Sequence, residues 1–272
     1  MSASARTSGG EPNPVAQIIA TRTAQVGGAA LLALLAARAV LPRDRFRPLV
    51  PWGGLAVGGG LSAYFCATFH PRVPLGAPLV TRLLGTAGNA VALTFDDGPH
   101  PDTTPRILDL LREHGAKATF FVVGESVARY PELVRRVRAE GHGVGIHGLR
   151  HRTMVLQNAR AIQADLREAA RRIEAAAPGG APVRLLRPPY GFRSWTLGRV
   201  ATRLGLQLVA WSLDSRDYRP VTPAHLLERV KTRLAPRDIV LLHERPDAPH
   251  TLDTLPALLR FCRDRGWQCV AL

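Results

Sequence analysis

From Val91 onward, apolar residues come in short continuous runs, separated by segments in which they recur every three or four positions. A continuous run of four to six reads as a strand buried on both faces, and the wider spacing reads as an amphipathic helix. Val91–Phe95 is the first such strand. Thr104 and Pro105 then offer an N-cap and a first-turn proline, and Ile107, Leu108, Leu110 and Leu111 form one helical face ending near Gly115. The alternation repeats as strand 118–123, helix 131–140, strand 144–147, helix 159–177 and strand 183–187. It closes with helix 195–204, strand 206–211, helix 223–234, strand 239–242, helix 252–265 and strand 267–271. About seven strands, each but the last followed by a helix, predict a parallel sheet in an α/β fold.

Open and closed parallel sheets both satisfy that rhythm, and the polar residues discriminate. Asp96-Asp97, His147, Arg187, the stretch from Trp211 to Asp217, and His243 each follow the C-terminal end of a different strand. A barrel gathers all such ends around one mouth, whereas an open sheet gathers only those beside its switch point. The expectation is a distorted (β/α) barrel occupying residues 88–272.

The N-terminal third is patterned differently. Residues 24–41 read AQVGGAALLALLAARAVL and residues 52–69 read WGGLAVGGGLSAYFCATF, each about as long as the shortest membrane-crossing helix. Arg43, Arg45 and Arg47 lie between them, so the excess of cations assigns that loop to the cytoplasm and everything after residue 70 to the outside. The expected organisation is a disordered tail over 1–23, a two-helix membrane anchor over 24–70, a linker over 71–87 and the barrel thereafter. A pair of buried soluble helices is the alternative for 24–69. Cys262 and Cys269 bracket a turn, and export of this part would permit a disulfide.

Composition adds one exclusion. The net charge of +15 invites nucleic acid, but only Lys117 and Lys231 are lysines, and the arginines are scattered rather than clustered with aromatics. No nucleic-acid partner is expected, and no protein partner can be read from the chain.

Four segments carry chemistry. In Thr94-Phe95-Asp96-Asp97-Gly98-Pro99, two adjacent carboxylates repel unless a cation or an arginine divides them, so one could bind metal while the other serves as a base. A solvated turn is the plain alternative. His147 and His151 are four apart; two imidazoles and a carboxylate make an open catalytic zinc set with a position left for water. Arg187-Pro188-Pro189-Tyr190-Gly191 is rigid, so Arg187 could pair with the free carboxylate and the Tyr190 amide could face an oxyanion. His243 ends a buried strand, where it can act as a general acid or simply cap the strand.

Taken in order, TFDDGP, H-x-x-x-H, RPPYG, DSRDY (214–218) and LLH resemble the five motifs of the polysaccharide deacetylase family, also called the NodB-homology domain or carbohydrate esterase family 4. The resemblance covers residues 88–272 and implies a distorted (β/α) barrel that removes acetyl groups from N-acetylated sugars of an envelope or related glycan. By it, Asp97, His147 and His151 hold one divalent ion, usually Zn²⁺, and Asp96 is the base that Arg187 orients. Asp217 tunes His243, the acid; Leu241 receives the acetyl methyl, and Tyr190 and Tyr218 contact substrate. Two positions depart from the family pattern: Gly148 stands where Ser or Thr is usual, and Tyr218 where Trp is usual. An inactive glycan-binding protein, an O-acetyl esterase and a two-metal phosphoesterase are the competing readings.

Overall fold

The computed structural model describes Thr68 and residues 75–85, 88–246, 248 and 250–272. In chain order these form β1 (Leu79–Val80), β2 (Ala90–Asp96), α1 (Thr104–Glu113), β3 (Ala118–Val122), α2 (Gly124–Arg129), α3 (Pro131–Ala139), β4 (Gly143–Ile146) and α4 (Ala159–Ala176). There follow β5 (Leu185–Leu186), a 3₁₀ turn (Pro189–Gly191), α5 (Trp195–Arg203), β6 (Gln207–Val209), β7 (Leu213–Asp214), α6 (Pro223–Lys231), β8 (Ile239–His243), α7 (His250–Asp264) and β9 (Gln268–Cys269).

The sheet runs β1-β6-β5-β4-β3-β2-β8-β7, with β9 added beside β2, and every strand pairing is parallel. Apart from β1 and β9 this is barrel order, broken between β6 and β7. The segment around β1 spans the break from below: Val80 pairs with Val209, while Arg82 bridges to Asp238 and the Leu83 N–H donates to the Arg237 carbonyl at 2.9 Å. The stretch that composition marks as a linker therefore supplies a strand. Nine strands, not about seven, are present among the described residues. The two extra ones, β1 and β7, are two residues long, too short for hydrophobic periodicity to register.

Strand β2 shows why the barrel forms. All seven of its residues are buried. Val91, Leu93 and Phe95 join the large core beneath the helices, whereas Ala90 and Ala92 join a smaller cluster with Phe121, Val209 and Ile239 inside the barrel. Side chains alternate across a strand, so Thr94 and Asp96 share the inward face with Ala92, and His243 shares the inward face of β8 with Ile239 and Leu241. An apolar floor and a polar rim thus come from a single period-two pattern. The helices cover the other face with apolar stripes, the predicted Ile107, Leu108 and Leu111 on α1, and Ile162, Leu166, Ala169 and Ile173 on α4. Asn158, Ser194 and Thr222 cap α4, α5 and α6 by accepting from the amides of Ala161, Leu197 and His225.

Both predicted membrane spans lie outside the described residues, Thr68 apart. Among the described residues no helix is long and apolar enough to cross a membrane. Cys262, buried in α7, and Cys269, in β9, are free thiols.

Candidate active site

Register places the motif residues at one rim. Asp96 is the last residue of β2 and pairs with His243, the last of β8. His147 directly follows β4, its N–H donating to the Val122 carbonyl at 2.8 Å, and Arg187 directly follows β5, its N–H donating to the Ile146 carbonyl at 3.0 Å. Four segments distant in sequence meet because parallel strands present all their C-terminal ends on one side.

Asp97 sits just past β2 with φ +79°, a left-handed conformation that costs a non-glycine residue about 1–3 kcal/mol. Its Oδ1 is buried and has no hydrogen-bond partner among the described residues, yet His147 Nε2 lies 3.3 Å and His151 Nε2 3.2 Å from it. His147 Nδ1 stands 2.7 Å from the Arg187 carbonyl, so it carries the proton and leaves Nε2 as a lone-pair donor. Three ligand atoms within 4.8 Å of one another, one an orphaned anionic oxygen, fit a small divalent cation. Burial raises the Asp97 carboxyl, but the neighbouring His147 and the charges of His151 and His243 outweigh it and hold the group well below the carboxylate range. Burial draws His151 down to about 4, so it is neutral and available as a ligand at ordinary pH.

Asp96 turns its Oδ1 to Arg187, while its Oδ2 lies 3.8 Å from His147 Nε2. Arg187 is fully buried; Nη1 donates to Asp96 Oδ1 and Thr94 Oγ1, both at 2.7 Å, and Nη2 donates to the Ala210 carbonyl at 3.0 Å. Its guanidinium lies 4.2 Å from the Phe121 ring centroid and 5.6 Å from that of Trp211. A buried charge persists only when paired, and this one is paired, hydrogen-bonded and stacked. The two carboxylates thus take different main partners, Asp96 Oδ1 the Arg187 guanidinium and Asp97 Oδ1 the two imidazoles, while Asp97 Oδ2 lies 3.5 Å from Arg245 Nη1.

His243 stands across the rim. Asp217 Oδ1 lies 2.7 Å from His243 Nδ1, while Oδ2 accepts from the His243 backbone N–H at 2.7 Å and the Thr251 hydroxyl at 2.6 Å. Burial lowers the imidazole pKa, but the Asp217 hydrogen bond and charge, with Asp96 and Asp97 adding, push it up to about 8. Asp214 is engaged elsewhere, accepting from the Tyr218 hydroxyl at 3.1 Å. The Tyr218 ring meets His243 edge-on at 5.5 Å and is 40% exposed, as Tyr190, 41% exposed, is against His151 at 4.5 Å. Tyr190 takes φ +62° inside the 3₁₀ turn. Leu241 is buried on the inward face of β8, in register with Thr94.

All predicted site residues converge on this rim. The sequence reading missed the second rank: Thr94 and Trp211 on Arg187, Thr251 on Asp217, and Glu244. The last is fully buried under the Gly98 turn, with the Thr104 hydroxyl donating to its carboxyl, and burial pushes its pKa up to about 8. Thr94 lay inside a recognised motif, whereas Thr251 and Glu244 carry no local signal.

A parallel barrel with an Asp-His-His cluster and a separate Asp–His pair at its mouth defines a hydrolase of the metal-site class. Residues 85–209 match the family model described as polysaccharide deacetylase. A chitooligosaccharide deacetylase of Sinorhizobium fredii is 38% identical over 195 residues, covering 67% of this chain and 90% of its own. A peptidoglycan-N-acetylglucosamine deacetylase of Bacillus cereus is 33% identical over 187 residues, covering 67% and 66%. Among solved structures, a family 4 carbohydrate esterase of Streptomyces lividans in complex with acetate superposes with TM-score 0.63 at 31% identity, covering 69% of this chain and 94% of that one. A family 4 pseudoenzyme from Bacillus anthracis gives TM-score 0.66 at 26% identity, covering 73% and 68%. The chain belongs to the polysaccharide deacetylase family and is a deacetylase, a hydrolase acting on carbon–nitrogen bonds other than peptide bonds.

Proposed function

We propose that the protein removes the acetyl group from N-acetylglucosamine units of a cell-envelope glycan or a chitin-like oligosaccharide. The observation that carries this reading is the division of labour between Asp96 and Asp97, one locked on Arg187 and one left open between two imidazoles. Asp97, His147 and His151 would hold a single Zn²⁺, which when bound acidifies a water and polarises the acyl oxygen. Asp96, fixed by Arg187, takes the proton as water attacks the carbonyl carbon. The Tyr190 N–H faces the developing oxyanion. His243, cationic near neutrality through Asp217, gives its proton to the departing nitrogen, which leaves as an amine. Leu241 lines the floor for the acetyl methyl, and the half-exposed rings of Tyr190 and Tyr218 offer apolar faces to the sugar.

The same machinery suits an O-acetyl ester, whose leaving group needs the His243 proton less. An inactive relative is the other reading, since a pseudoenzyme shares the fold; the complete set from Asp96 to His243 speaks against it. A single cluster of this kind among the described residues disfavours the two-metal phosphoesterase. The apolar runs over 24–41 and 52–69 would anchor the chain, with the barrel on the extracytoplasmic side.

The deciding experiment incubates the full chain plus zinc with N-acetylglucosamine oligomers, peptidoglycan and acetylated xylan, and measures acetate. Release from the N-acetylated glycans with appearance of free amine is expected. Release from xylan alone favours the esterase, and no release from any of them overturns the deacetylase reading.

A further inference from the structure

His151 is the metal-facing histidine with the least built-in support. His147 continues strand β4, but His151 lies four residues further on, in a loop of no regular structure, and its side chain is 29% exposed. Gly148 opens that loop at φ +85°, where a Cβ would fall 2.8 Å from the Arg150 carbonyl oxygen, so the residue type that makes this turn also brings no hydroxyl to brace it. The loop is fastened from outside. Its Gly148 and Leu149 carbonyls accept from the Gly124 and Glu125 amides of α2, each at 2.9 Å, and the Arg150 guanidinium donates to Glu125 at 2.5 Å. The N–H of Leu149, midway in sequence between His147 and His151, donates to Asp165 Oδ1 at 2.8 Å.

Asp165 is an odd occupant of its position. It sits mid-way along α4, next to Leu166 of the buried stripe, where aspartate is a poor helix former and burial penalises its charge. Nothing about α4 itself explains it; the Leu149 amide does. Resting on the metal site proposed above, we propose that Asp165 is a positioning residue for the metal loop: accepting from Leu149, it fixes the loop so that His151 Nε2 converges with His147 on Asp97. It touches neither substrate nor ion and acts through the Leu149 amide.

The test titrates Zn²⁺ into the full metal-free chain against a chromophoric chelator, for wild type, Asp165→Ala and Asp165→Asn. Loss of an outer partner of a metal ligand typically costs 10–100-fold in affinity, so Asp165→Ala should bind zinc at least about tenfold more weakly. Asp165→Asn keeps an acceptor oxygen and should stay within about threefold of wild type. A merely structural residue would lower the melting temperature of the metal-free chain and leave zinc affinity untouched; equal affinity in wild type and Asp165→Ala overturns the proposal. Should Asp165→Ala not fold, Asp165→Leu, close to aspartate in shape but without an acceptor, carries the same comparison. If wild type itself takes up no zinc, the metal reading fails and this inference goes with it, an outcome distinct from equal uptake by both.

Discussion

The two sides of the barrel mouth use the same residue types to opposite ends. On one side His147 and His151 turn their Nε2 atoms to an Asp97 oxygen that has no hydrogen-bond partner among the described residues. On the other, His243 faces an Asp217 carboxylate whose two oxygens are both occupied, by the ring, a backbone amide and Thr251. Burial is shared, so it does not distinguish them. What does is how much carboxylate charge and hydrogen bonding each ring receives against that burial. At His151 burial outweighs the Asp97 charge and draws the ring down to about 4, a neutral ligand; at His147 the Asp96 and Asp97 charges raise the ring despite burial, and at His243 the Asp217 hydrogen bond and charge push it up to about 8, a cationic acid. A histidine's charge here is set by how far its carboxylate partners offset its burial.

The largest effect that could break this contrast comes from Asp96 and His147. Asp96→Asn keeps an acceptor for Arg187 and removes the base, so kcat should fall by about 10²–10⁴-fold with zinc stoichiometry unchanged. His147→Ala should lose the ion altogether, read by metal content of the purified chain. Full metal occupancy in His147→Ala would dissolve the ligand side of the comparison.

An intermediate effect is expected on the acid side. His243 serves as an acid only while protonated, so kcat/KM should decline as pH rises through about 8. Its raised pKa also means that the His243–Asp217 pair contributes its full stability below about pH 6.5 and loses it as pH rises through about 8. Asp217→Asn removes the strongest raising influence and leaves burial in command, moving the alkaline limb of the rate profile downward by about one pH unit or more. Zinc affinity should not change. A profile that stays in place would mean that Asp217 does not govern the acid.

The smallest effect probes the joint between the two sides. Glu244, next to His243, packs under the turn that carries Asp97: a Cβ on Gly98 would lie 1.7 Å from Glu244 Oε1. Gly98→Ala should therefore overpack this joint and destabilise the chain by about 1–3 kcal/mol, seen in thermal or urea unfolding. An unchanged midpoint would show that the two sides are not in mechanical contact there.

Much of this was written in one dimension. Continuous apolar runs ending in Asp96, His147, Arg187 and His243 identify both the strands and the rim, because a strand buried on two faces can place a charge only where it emerges from the layer. The cap at Thr222 and the helical stripe of α1 are equally local, set by a residue and its neighbours three or four away, whereas Thr104, which the pattern offers as a cap, lies inside α1. The third dimension decided matters that involve partners far apart. It turned Asp217 onto His243 and Asp214 onto Tyr218, with a left-handed Arg216 between them. It added β1 and β7, which have too few residues to show a period and exist only because a longer neighbour offers them hydrogen bonds. It also recruited Thr251, Glu244 and Asp165, ordinary polar residues whose meaning lies in an atom supplied by another element, a relation that no spacing along the chain encodes.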